Sequence, residues 1–139
     1  MFSYTATQIL RSDSGCISFP IYNWEANRRG QLLGYDQGTL FAFDVPSNGS
    51  TGTARLIAVS EDGVPLWQNN SIFPLSIAAT RQGLIYVVGL DATSDCCSQQ
   101  KLFVVNENTG NIAASLDLTA ICPACLKVAV WRFVINSDL

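Results

Sequence analysis

The sequence predicts an all-β domain, and three observations carry that expectation. From Gly38 to Leu118 the apolar residues fall in short runs, and no window keeps a helical period. Between the runs lie tight-turn signatures, "EDG" (61–63), "RQG" (81–83) and "NTG" (108–110), each placing Gly where a hairpin calls for positive φ. Finally, 139 residues with 48% hydrophobic and 14% charged side chains suit a single ordered core.

Taken in order, Ala6 to Arg11 is expected to form a short helix, and "CISFPIYNW" (16–24) a strand. "EANRRGQLLGYDQG" (25–38) reads as a polar connection. Seven strands follow: "GTLFAFDV" (38–45), "ARLIAVS" (54–60), "VPLWQ" (64–68), "LSIAAT" (75–80), "GLIYVVG" (83–89), "KLFVV" (101–105) and "NIAASLDL" (111–118). The short turns join them as antiparallel hairpins. Leu84 to Val88 is apolar at every position, so its sheet should be covered on both faces. "KVAVWRFVI" (127–135) has the composition of a further strand.

The chain repeats itself. "GTLFAFD" begins at Gly38 and "GLIYVVG" at Gly83, 45 residues on, while "LIAVSEDG" at Leu56 and "LFVVNENTG" at Leu102 lie 46 apart. A period near 45 residues with four short strands is that of a β-propeller blade, which buries its faces only against neighbouring blades. The expected organisation is one incomplete propeller of four-stranded antiparallel blades. Residues 38–82 and 83–118 are repeat units, 1–37 a partial flanking blade and connection, and 119–139 the start of a further blade or a tail.

"LIAVSEDGVPLW", "PLSIAATRQGLIYVVG" and "KLFVVNENTGNIAAS" resemble the repeat of quinoprotein-type propellers, in which a strand ends in Ala-Leu-Asp, a Thr-Gly turn follows, and the next strand closes on Trp. The resemblance runs over roughly Gly38 to Leu118. Here the Asp is Ser60 in one copy and Asn106 in the other, and the closing Trp is present as Trp67 but replaced near Ala114. Such repeats occur in dehydrogenases that use pyrroloquinoline quinone with calcium and in non-catalytic assembly factors. The weakened copies favour the second kind.

Closed propellers have four to eight blades, and four at this spacing need about 180 residues. This chain accommodates about three. It is therefore expected to be part of a longer protein, to associate with copies of itself, or to form an open stack.

Composition narrows the chemistry. The absence of histidine removes the commonest general base, Ser-His-Asp and Cys-His nucleophile systems, and imidazole metal ligands. Eight basic against eleven acidic residues, with Arg28 and Arg29 as the adjacent basic pair, provide no cationic stripe for nucleic acid. No apolar run approaches the ~20 residues that span a bilayer as a helix. The opening residues lack the basic start and apolar run of a signal peptide, and the compartment is left open.

The candidate site residues are cysteines. Cys96 and Cys97 are adjacent in the segment between "GLIYVVG" and "KLFVV", and Cys122 and Cys125 form "CPAC"; Cys16 makes the count odd. They read as disulfide or thiol pairs, with three chemical alternatives. The resemblance implies that a vicinal disulfide could lie against pyrroloquinoline quinone. "CPAC" could be a redox pair, although the strand-like run after it differs from the helix such motifs begin. The four sulfurs together could hold structural zinc.

Asp91 and Asp95 could offer oxygens to a hard cation. Trp24, Trp67, Trp131, Tyr22, Tyr35 and Tyr86 are scattered singly and read as packing residues. The acidic residues are isolated, and no spacing predictably places two carboxylates together, so the sequence makes no case for a glycosidase-type dyad. Asn48 and Asn69 match the N-glycosylation pattern and also ordinary turns. The functional expectation is a non-catalytic module for protein interaction or scaffolding, with no cofactor, no catalytic residue and no metal ligand assigned.

Overall fold

The computed structural model describes residues 1–14, 17–47, 54–91 and 100–118, and these form three antiparallel sheets. The first has three strands in the order β1-β2-β3: β1 Phe2–Tyr4, β2 Gln8–Ser12 and β3 Ser18–Asn23. The middle sheet has four in the order β4-β5-β6-β7: β4 Arg28–Asp36, β5 Thr39–Pro46, β6 Arg55–Ser60 and β7 Pro65–Asn69. The third has four in the order β8-β9-β10-β11: β8 Ile72–Arg81, β9 Leu84–Asp91, β10 Lys101–Asn106 and β11 Ile112–Asp117. Every pairing joins consecutive strands, as short hairpin links dictate. Among the described residues no helix is long and apolar enough to cross a membrane.

Two expectations near the N-terminus are corrected. Ala6 to Arg11 holds no helix: residues 8–12 are β2, paired on both sides, with Ile9 fully buried. Pairing on two edges and one buried apolar side chain outweigh the local preference of so short a segment. The polar connection at 25–38 is mostly β4, whose Leu32 and Leu33 pack inward on opposite faces. The seven expected strands are present as β5 to β11 with ends moved by up to three residues. Gly63, Gly83 and Gly110 take φ of +87°, +80° and +76°, as their turns required.

Strand alternation assigns the core. On the middle sheet Leu40, Ala42, Ile57 and Val59 pack with Ile9 and Trp24 of the first sheet and its exit. The residues between them, Phe41, Leu56 and Ala58, pack with Ile72, Ile85, Val87, Phe103 and Val105 of the third sheet. Successive side chains of β5 and β6 thus enter two different cores, which explains why these strands read as continuous apolar runs. The middle sheet is covered on both faces. At about 25 cal/mol per Å² of apolar surface removed from water, this burial is the main force holding the sheets together.

Candidate functional site

The two joints between the sheets are built to the same plan. In each, the turn between the last two strands of one sheet rests on the last strand of the sheet before it. Gly63, in the β6–β7 turn, lies against the backbone of Ile21 on β3, with no room for a Cβ. Gly110, in the β10–β11 turn, lies against the indole of Trp67 on β7, where a Cβ would come within 2.6 Å of Cδ2. Ile21 and Trp67 are 46 residues apart, the spacing of the sequence repeat.

The joint between the middle and third sheets is also latched by hydrogen bonds. Trp67 Nε1 donates to the Glu107 carbonyl at 2.7 Å, and Asn69 Nδ2 donates to the Gly110 carbonyl at 2.7 Å. Asn69 Oδ1 accepts from the Ser71 amide at 2.8 Å. The nitrogen that glycosylation would modify is therefore engaged in the joint. Phe41 lies beside the Trp67 ring with centroids 6.2 Å apart. At the same joint the carboxyl of Glu107 neighbours that of Asp36. Partial burial, then the interaction with the Asp36 carboxyl, push the Glu107 pKa up. Sequence spacing does not foretell this pair, because it is made by the stacking of sheets and not by local separation along the chain.

The joint between the first and middle sheets carries an ionic cluster instead. Asp44 is fully buried. Its Oδ1 accepts from Arg28 Nε at 2.8 Å and from Arg55 Nε at 2.7 Å, and its Oδ2 accepts from Arg55 Nη2 at 2.9 Å. Arg55 also pairs with Glu25 at 3.0 Å and donates from Nη1 to Gln68 Oε1 at 2.9 Å. Hydrogen bonding to Asp44 raises the Arg55 pKa further, so the guanidinium is cationic throughout. Tyr22 sits next to Asp44, and desolvation followed by that negative charge raises its phenol pKa. A cleft of about 180 Å³ opens beside Tyr22, Glu25, Trp67 and Gln68.

The third sheet repeats the middle one strand for strand. At the 45–46 residue spacing, the places of Phe41, Phe43, Leu56 and Ala58 are taken by Tyr86, Val88, Leu102 and Val104. In the register, Val88, Leu102 and Leu116 form one row across β9, β10 and β11, and Tyr86, Val104 and Ala114 the next. Neither row carries a charge. This is the face turned away from the middle sheet. Val88 is buried, Tyr86, Leu102 and Val104 are partly exposed, and Leu116 is 48% exposed. Ala114 pairs with Val104 as Trp67 pairs with Ala58, and Leu116 with Leu102 as Asn69 with Leu56. The outer face keeps the apolar surface of a joint and has neither side chain of the latch.

Cys16, Cys96, Cys97, Cys122 and Cys125 all lie outside the described residues, as do Asp95, Asn48 and Trp131. Asp91 is on β9 and accepts from Lys101 Nζ at 2.8 Å, which makes it half of a cross-strand ion pair. Among the described residues no three acidic, Cys or His side chains gather as a metal site. Trp24, 6% exposed, and Tyr22 pack edge to face in the core between the first and middle sheets. Tyr35 is 51% exposed, with its ring near Phe2 and its hydroxyl donating to Glu61 at 3.1 Å. Asp44 with Arg28 and Arg55 was not singled out from the sequence. No protein-family model, no curated protein and no solved structure was found to match the chain.

Proposed function

We propose that the chain is a non-catalytic repeat module of the quinoprotein-like propeller type, which offers the outer face of its third sheet to a protein surface or to further blades of a larger propeller. One observation supports the reading above the others. The residues on that face, Tyr86, Val88, Leu102 and Val104, stand at the positions that on the middle sheet lie toward the neighbouring sheet. A face whose equivalent is filled by a packed sheet is suited to a packed sheet. The repeat of about 45 residues, the four-stranded meanders and the Gly-turn joints support the propeller assignment.

Sedimentation velocity of the full chain, read beside an apolar-surface dye, tests the role. The expected result is self-association or dye binding, each reduced by Leu102→Asp while the far-ultraviolet circular dichroism stays β-type. A compact monomer that binds no dye would sink the reading.

A further inference from the structure

We propose that the structure holds a second, separate recognition site: a cleft lined by strands of all three sheets that takes a small planar aromatic carboxylate. This goes beyond the docking role above and does not depend on it. The cleft has a volume of about 350 Å³ and is lined by Tyr4, Arg29, Gln31, Phe43, Val45 and Phe73. That is the lower end of the range for small-molecule sites, a size for one fused ring system and its substituent. Phe43 of β5 and Phe73 of β8 form an aromatic wall, their rings tilted by 31° with centroids 6.3 Å apart, and Val45 continues it. The phenol of Tyr4, 45% exposed, adds a third ring from the first sheet.

The charge on the ligand follows from Arg29. The chain is acidic overall, and its other described cations are engaged. Arg11 pairs with Asp62, Arg28 and Arg55 with Asp44, and Lys101 with Asp91, and Arg81 also has a partner. Among the described residues, Arg29 is the exposed guanidinium with no carboxylate and no hydrogen-bond partner, and it borders an aromatic cleft.

A guanidinium fork recognises a carboxylate through two parallel hydrogen bonds, and the neighbouring rings favour an offset or edge-on aromatic partner. A neutral arene would leave the fork unpaired. An aliphatic acid would forgo the ring contacts. Gln31 and Tyr4 bring further polar side chains to the lining.

Ligand-observed saturation-transfer NMR on the full chain tests the site, with 2-naphthoate and its neutral isostere 2-naphthylmethanol as probes. Naphthoate should bind saturably and about tenfold more tightly than the alcohol, the preference expected of a charge-assisted pair at an accessible site. Arg29→Gln should bring the two probes to equal affinity, and Phe73→Leu should weaken both while preserving their ratio. Absence of saturable naphthoate binding, equal affinities in the unaltered chain, or a preference that survives Arg29→Gln would each overturn the assignment. The outer face of the third sheet is untouched by these substitutions, so its failure and the failure of this cleft are separately visible.

Discussion

Gly110 and Gly83 are a matched pair for measuring what the Trp67 joint contributes. Both have positive φ, +76° and +80°, so replacing either with Ala meets the same left-handed backbone penalty, about 1–2 kcal/mol. Their surroundings differ. A Cβ on Gly83 has no heavy atom within 4 Å, whereas one on Gly110 enters the Trp67 indole, 2.6 Å from Cδ2 and 3.0 Å from Cζ3. Forcing that overlap adds the cost of overpacking, about 1–3 kcal/mol. Urea unfolding should therefore show Gly110→Ala less stable than Gly83→Ala by about 1–3 kcal/mol.

The cycle with Trp67→Ala isolates the origin of the difference. With the indole removed, Gly110→Ala should fall to the cost of Gly83→Ala, leaving a coupling energy of about 1–3 kcal/mol. Trp67→Ala itself should cost about 2–4 kcal/mol, from lost ring burial, the Glu107 carbonyl contact and the Phe41 neighbour. Equal costs at Gly110 and Gly83, or a Gly110→Ala cost unchanged by removal of Trp67, would refute the argument that the turn is clamped on the ring.

Two further outcomes follow from the joints. Asp44→Asn should destabilise the chain by about 3 kcal/mol in urea unfolding, because the buried Arg55 and the half-buried Arg28 would be left beside a neutral amide; a loss below half of that would remove the cluster from the forces closing the joint between the first and middle sheets. Glu107 has its pKa raised in the folded state, so it binds its proton more tightly there than when unfolded: its contribution is complete below the unfolded pKa and is lost as pH rises through the folded one. The stability of the native chain relative to Glu107→Gln should accordingly decline from about pH 4 upward, and parallel stability profiles for the two proteins would contradict the raised pKa of Glu107.

What could be read from the residues alone divides along physical lines. β5, β6, β9 and β10 were legible because side chains on both faces are apolar over most of their length, whether or not the face is fully covered. The turn glycines were legible because positive φ is a local demand. β4 was not, because Arg28, Arg29 and Gln31 make it look like a loop, and Arg28 is neutralised by Asp44 on the adjacent strand. The same holds for Glu107 and Asp36. Each looks solitary in its turn, and only the stacking of sheets at a 45-residue period gathers turns from one edge. Arg29 gives no sequence signal beyond its adjacency to Arg28. Which arginine of the pair has a partner is decided by strand parity, since one side chain enters the ionic cluster and the next points away from it.

Because β5 and β6 are covered on both faces over most of their length, tolerance of amino-acid replacement should be distributed very unevenly along this chain. Apart from the paired Asp44 and Arg55, odd and even positions of those two strands should both resist a polar side chain, since each parity belongs to a different core. On β11, where five consecutive residues are exposed, most replacements should leave the stability of the fold unchanged. Sequence drift in such a molecule would erode its rim first and leave the central strands as the durable record of its ancestry.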